Sequence, residues 1–374
     1  MQHGQFFGLT GIYINCKLSA FNFCLHYPFI PLLTHHPQTQ HFLYFAAMGY
    51  LSAFKNVYKE IQLQKRFNNS FLLPYLDELE KKYDGTFAAE QRQKIVKYYG
   101  LFITSFLCSS YKHLYGQTLT DEERKRATLF GILTPVGDDL FDIDKLDVDS
   151  IAAITFTPET YTATTFAAHV AKEIQTFLLT HVPHVNEYVQ ASAYVLYIQA
   201  ETAKQTNKNI SLQDLQRITY TKGAVSVVIY HQCLNEPAGE QMLDALFYIG
   251  SLYQLGNDLF DLYKDVRDNI YTLVNTCKDF TAFKQQFLER VRIQNQKIHL
   301  LPYDKKRKQE FCIIMNTINA RSMVAIDQFA RTQQKQGKAI DWWKMERKDM
   351  IVDMEKPANF LKWLYYIYKL PALK

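Results

Sequence analysis

Glycine and proline are scarce, 14 Gly and 11 Pro in 374 residues, against an average share of about 12% for the pair. Sandwiches, barrels and propellers place these residues at many tight turns, so the shortage excludes an all-β architecture. Cysteine is sparse and scattered. The 6 cysteines (Cys16, Cys24, Cys108, Cys233, Cys277 and Cys312) include no CxxC pair. That removes the usual zinc and disulfide frameworks and makes a reducing cytoplasm the expected compartment. Net charge is only +5, without the concentrated basic face of a nucleic-acid-binding protein. Long apolar runs are missing too. Residues 18–33 are apolar but are interrupted by Asn22, His26, Pro28 and Pro31, so no transmembrane helix is expected there. The stretch also lacks the positive flank of a secretory signal. What the chain has in quantity is apolar and aromatic side chains, 48% hydrophobic with 25 Tyr and 26 Phe, enough for a large core.

Residues 1–47 differ from the rest. Lys17 is their one charged residue, and they hold His3, His26, His35, His36 and His41. The histidine spacings are irregular and offer no helical i,i+4 ligand pair, so this stretch reads as a low-charge aromatic extension to a domain covering 48–374. From residue 48 the apolar positions recur at three- and four-residue intervals. Asn68-Asn69 and Asp84-Gly85 read as breaks. Thr120 with Glu123 forms a capping box that opens a helix running to the Asp138 region, with Pro135 expected to kink it. Further helices are expected at 158–181, 185–205, 211–234, 238–274, 277–299, 304–334 and 355–370, with Ser211 as an N-cap and Asp214 in the first turn behind it. No strand pattern and no repeat intervenes. The expected fold is a single all-α bundle.

Two acidic clusters stand out. In the first, Asp138, Asp139 and Asp142 fall at about 0°, 100° and 40° around a helix, so three carboxylates share one quadrant. In the second, Asn257, Asp258, Asp261 and Asp265 fall at about 0°, 100°, 40° and 80°, beside a greasy face of Leu255, Leu259, Leu262 and Val266. Like charges so crowded repel, and a divalent cation relieves the repulsion; hard oxygen ligands select Mg²⁺. Both clusters share the core Asx-Asp-Leu-Phe-Asp. Both use Asp, a poor helix former, where a merely solvated face uses Glu and Lys. The choice points to one shared polymetal site.

Asp138-Asp139-x-x-Asp142 resembles the first aspartate-rich motif of the class I isoprenoid (terpenoid) synthases, the terpene cyclases and trans-prenyltransferases. Asn257-Asp258-x-x-Asp261-x-x-x-Asp265 is similar to the second. At Asn257, Asp261 and Asp265 the spacing matches the cyclase triad of Asn, Ser/Thr and Glu, with Asp replacing the last two members. Read as Asx-Asp-x-x-Asp it matches the prenyltransferase form. Tyr220-Thr221-Lys222-Gly223-Ala224 resembles the lysine motif that prenyltransferases place before the second aspartate motif. The resemblance spans roughly residues 95–300. It implies an α-helical bundle in which two aspartate motifs face each other and hold Mg²⁺, three ions in all. It also implies a prenyl diphosphate substrate, gripped by Lys222 or Arg217. Gly131 on the first helix, and Phe247, Gly250 and Gln254 on the second, are expected to line the cavity below, with Phe247 offering a ring face to a carbocation. The residues after the first motif, 143–149, are acidic and contain no arginine, which disfavours a second diphosphate. The reading is therefore a cyclase, with a prenyltransferase or a catalytically silent prenyl-binding protein as alternatives. The aromatic C-terminal segment, from Trp363 to Tyr368, is a candidate for peripheral membrane contact or for a homodimer.

Overall fold

The computed structural model describes residues 37–337 and 339–373, with side chains from Gly49 onward except that of Asp142. The sequence-predicted histidine cluster lies outside the described side chains. Among the described residues every regular element is helical and none is a strand, as the scarcity of turn residues requires. Helix α1, Pro37–Phe67, runs straight across residue 48, so the boundary read there falls inside a helix.

Asn68-Asn69 is no break. A π-helical turn, Asn68–Leu72, carries the chain on into α2, Leu73–Lys82. Buried Asn68 accepts from Gln64 Nε2 (2.8 Å) and donates to Val96 O (3.3 Å), so its amide serves a neighbouring segment instead of a turn. The second expected break is real, with Asp84 at φ 47. A short α3, Ala89–Gln93, leads into a π-helical stretch, Lys94–Cys108, and then α4, Ser109–Tyr115. The capping box forms as read: Thr120 accepts from Glu123 N (3.2 Å) while Glu123 accepts from Thr120 N (2.9 Å). It opens α5, Asp121–Asp142, with Pro135 inside.

Helices α6, Val148–Phe156, α7, Phe166–His181, and α8, Val185–Thr202, follow. Next comes α9, Leu212–Gln232, capped by Ser211 as expected (from Asp214 N, 3.0 Å). The predicted single helix over 238–274 is in fact two. Helix α10, Glu240–Phe260, stops at Asp261, whose φ −90 and ψ 3 are no longer helical, and α11, Leu262–Arg267, restarts beyond it. Residues 268–274 are not helical, and Asn269 takes φ 54. Helices α12, Phe280–Leu300, and α13, Lys305–Gln336, begin at Asp279 and Asp304, which accept from backbone amides in the first turn. The short α14, Arg347–Met350, and α15, Pro357–Lys369, complete the chain.

Helices α9 and α10 form the closest pair. A Cβ on Gly223 would lie 2.0 Å from the Gly250 carbonyl oxygen, and one on Gly250 2.2 Å from that of Gly223. Only two glycines let these backbones touch. The crossing brings Lys222, one residue from Gly223, beside Gln254 and Asp258, one and two turns beyond Gly250. Helix α5 packs on the π-helical stretch, and a Cβ on Gly131 would lie 2.9 Å from Tyr99 Cβ, so the glycine makes room for that side chain. The two close approaches together bring α5, the π-helical stretch, α9 and α10 around one polar interior.

Candidate metal and anion site

The second cluster is buried. Asn257, Asp258, Asp261 and Asp265 expose less than a tenth of their surface, and so does Lys222. With Gln254, Thr219, Lys264 and Gln205 they line a small polar cavity of ≈ 30 Å³. Burial raises the Asp258 carboxyl to about 6, opposed by the Gln254 amide (2.8 Å) and the Lys222 charge. Burial, then the neighbouring Asp261 and Asp258 charges, drives the Asp265 carboxyl well above the usual carboxylate range. Burial pulls the Lys222 ammonium down, while Asp138, Asp258 and Asp265 hold it up. One lysine thus feels carboxylates of both clusters. Tyr99 repeats the pattern: burial raises its phenol first, then the charges of Asp138 and Asp261 raise it further. The two motifs, 120 residues apart in sequence, converge on Lys222 and Tyr99.

On the first motif, Asp139 accepts from Gln91 Nε2 (2.6 Å), and burial raises its carboxyl against that bond. Asp142 ends α5; its side chain lies outside those described. Gly137, Leu140 and Phe141, interleaved with the aspartates on α5, help line an apolar cavity of ≈ 90 Å³ with Tyr188, Ser192 and Val195. Acid and hydrocarbon space therefore lie along one helix.

The remaining sequence candidates fall elsewhere. Arg217 points away from the cavity, where its guanidinium pairs with Glu201 and Asp214 (3.2 Å) and donates to Tyr197 (3.1 Å). Phe247 is 38% exposed and meets Tyr248 edge-on, so its ring looks outward and does not line the interior. It stands about 60° from Gly250 around the helix and about two turns before Gln254 along it, so it lies short of the polar cavity. Gly250 is spent on the α9–α10 contact and Gly131 on Tyr99. Gln254 does line the polar cavity.

Three residues were missed in the sequence. Gln91 and Tyr99 have no local signal. Arg321 on α13 stacks its guanidinium over the Phe260 ring (4.5 Å) and lowers the Tyr98 phenol, which burial otherwise raises and Asp261 raises too. It is a further cation beside the second motif, besides Lys222 and Lys264, and a lone arginine in a long helix carries no mark of that.

The donor set suits a hard divalent cation. It consists of carboxylate and amide oxygens, buried beyond what like charges tolerate, and Asn257 Oδ1 is buried with no hydrogen-bond partner. The donors are not preassembled: among the described residues no three His, Cys, Asp or Glu side chains already surround one point. Comparison with family models, curated proteins and solved structures finds no match for this chain.

Proposed function

We propose that the chain is a class I terpene synthase that ionises an allylic prenyl diphosphate and guides cyclisation or rearrangement of the resulting carbocation. The observation that carries this reading is the buried Lys222 lining one polar cavity with Asn257, Asp258, Asp261 and Asp265, with the Asp138 charge acting on the same lysine. Such a crowd of buried carboxylates around few ammonium groups is unfavourable alone and becomes balanced when cations and a polyanion enter together.

In this reading Asp138, Asp139, Asn257, Asp258, Asp261 and Asp265 are the residues that hold Mg²⁺, and Asp142 joins them by the resemblance of its motif. Bound Mg²⁺ neutralises the departing diphosphate. Lys222 donates to the diphosphate oxygens from below, and Arg321 adds positive charge from the α13 side. Tyr98 and Tyr99, buried and held as neutral phenols, present polar tips with no basic character, so they quench no cation by proton removal. The apolar cavity beside Gly137 and Leu140 excludes water from the hydrocarbon part.

A single-diphosphate reaction is favoured by the loop after the first motif. Asp144 accepts from Thr165, and Asp147 caps α6 by accepting from Ser150 N (2.7 Å). The loop holds no arginine, and Lys145 is its one cation among Asp144, Asp147 and Asp149, a weak grip for a second diphosphate.

The test is incubation with C10, C15 and C20 allylic diphosphates plus Mg²⁺, with and without isopentenyl diphosphate, followed by product identification. A cyclic or rearranged hydrocarbon or alcohol from one diphosphate supports the reading. A longer linear diphosphate that needs isopentenyl diphosphate makes the chain a prenyltransferase. No diphosphate release with any substrate, together with prenyl diphosphate binding, makes it a silent binder.

A further inference from the structure

Helix α15 carries apolar side chains over most of its circumference, with Lys362 and Lys369 together on one side. Its inner side is used: Ile367 and Leu370 are buried, Trp363 Nε1 donates to Thr317 O (3.0 Å), and Tyr366 Oη donates to Asp327 (2.7 Å). Its outer side carries Leu361, Tyr365 and Tyr368, which are 62%, 55% and 51% exposed and lie within about 60° of one another. Helix α1 adjoins this end of α15, where the Tyr50 hydroxyl donates to the carbonyls of Ile367 and Tyr368 (3.3 Å each). Large apolar side chains exposed together on one side of a helix mark an interaction face.

Charge indicates the cover. After Glu355 the sequence holds no acid, while Lys356, Lys362, Lys369 and Lys374 follow. Lys369 Nζ stands 5.8 Å from the Tyr365 ring centre. The acid nearest Lys362, Asp327, is already bonded to Lys284 (2.7 Å) and Tyr366. Burial, then the Arg331 charge, lowers the Lys362 ammonium; Asp327 opposes them, and Lys284 lowers it further. Lys362 and Lys369 thus border the apolar stripe with Asp327 shared among Lys284, Tyr366 and Lys362, while Lys356 stands beside the exposed Glu355.

We propose that this face docks on an anionic lipid surface, with Leu361, Tyr365 and Tyr368 entering the headgroup region and Lys356, Lys362 and Lys369 meeting lipid phosphates. Tyrosine and leucine bordered by lysine is the composition that such interfaces select, and lysine stems reach from an apolar patch to phosphate. The helix lies on the membrane and does not cross it: no described helix is long and apolar enough to span one. A second copy of this chain fits the face poorly, because a two-fold contact sets each patch against itself and brings lysine to lysine.

The experiment is co-sedimentation of the full chain with phosphatidylcholine vesicles, with and without phosphatidylglycerol. It is run free of Mg²⁺ and of any prenyl diphosphate, so the result is independent of the proposed reaction. Binding is expected to the phosphatidylglycerol vesicles alone and to weaken with salt. Neutralising Lys362 and Lys369 to Gln is expected to lower the partition coefficient about fivefold per lysine. Tyr365→Asp is expected to abolish binding, with the helical circular dichroism unchanged. Absence of binding to the anionic vesicles overturns the proposal. So does binding that Tyr365→Asp or salt leaves intact, and so does a dimer in sedimentation velocity that Tyr365→Asp dissociates.

Discussion

Gly223 and Gly250 touch backbone to backbone, each occupying the space where the other's Cβ would stand. The contact sets the position of Lys222 relative to Asp258. Gly250→Ala is expected to push α9 and α10 apart, costing at least about 1–3 kcal/mol of stability and a larger share of diphosphate release. Urea denaturation and turnover measured on the same sample check it. Wild-type stability in Gly250→Ala means that the helices are not held at this spacing.

Lys222 is a cation placed among acids before any ligand arrives. Lys222→Met is expected to destabilise the metal-free fold by leaving Asp138, Asp258 and Asp265 without it. The same change is expected to weaken diphosphate binding by roughly 10- to 150-fold, the worth of a charged hydrogen bond of about 1.5–3 kcal/mol. Thermal denaturation without metal and a diphosphate-release assay separate the two effects. Unchanged kinetics hand the role to Arg321.

Mg²⁺ itself is expected to raise the melting temperature, since it binds only the folded arrangement of both clusters. At a hundredfold excess over the dissociation constant the gain is about 2.7 kcal/mol. Asp138→Asn and Asp258→Asn, on different helices, are each expected to remove most of it. If only one of them does so, the clusters do not share a site.

His231 on α9 is fully buried, its Nε2 meets the Tyr115 hydroxyl, and its Nδ1 has no partner. Burial, then the nearby His184 and Lys112 charges, lowers the ring from 6.5 to about 3. The unfolded chain takes up the proton first, so stability is lost as pH falls from 6.5 toward 3 and is fully present above 6.5. The expected slope from this residue is about 1.4 kcal/mol per pH unit within that window. Urea midpoints of His231→Gln against wild type across pH 4–7 check it; equal slopes refute it.

Lys112 and Glu123 are both fully buried and paired at 2.8 Å, with Glu236 joining Lys112 at 2.6 Å. Burial works against the Glu123 carboxylate, yet Lys112 and the amides of Thr120 and Asn235 hold it below the usual range. Lys112→Met is expected to cost about 3–5 kcal/mol, because it strands a buried charge. Lys112→Met with Glu123→Gln is expected to recover part of the loss. Urea midpoints of the single and double variants decide.

The helices were legible wherever capping chemistry and apolar spacing agreed, as at Thr120, Ser211 and the Asp138 cluster. Reading failed where a polar residue had a tertiary use. Asn68 looked like a turn because Asn usually bonds its own backbone, yet here it bonds Gln64 and Val96. The candidate ligands were legible as like charges on one helix quadrant. Arg217 was misplaced because it stands about 140° from Lys222 around α9, and Phe247 because it lies about two turns before Gln254 along α10 while sharing its side. Gln91, Tyr99 and Arg321 come from three other segments, and only the packing of those segments brings them beside the two motifs.

The break at Asp261 divides the second cluster between two rods. Asn257 and Asp258 belong to α10, Asp265 belongs to α11, and the backbone turns at the residue between them. Four acceptors on one continuous helix would be a ruler with fixed graduations. Across a joint they are the jaws of a caliper, whose opening is set by the backbone dihedrals at Asp261.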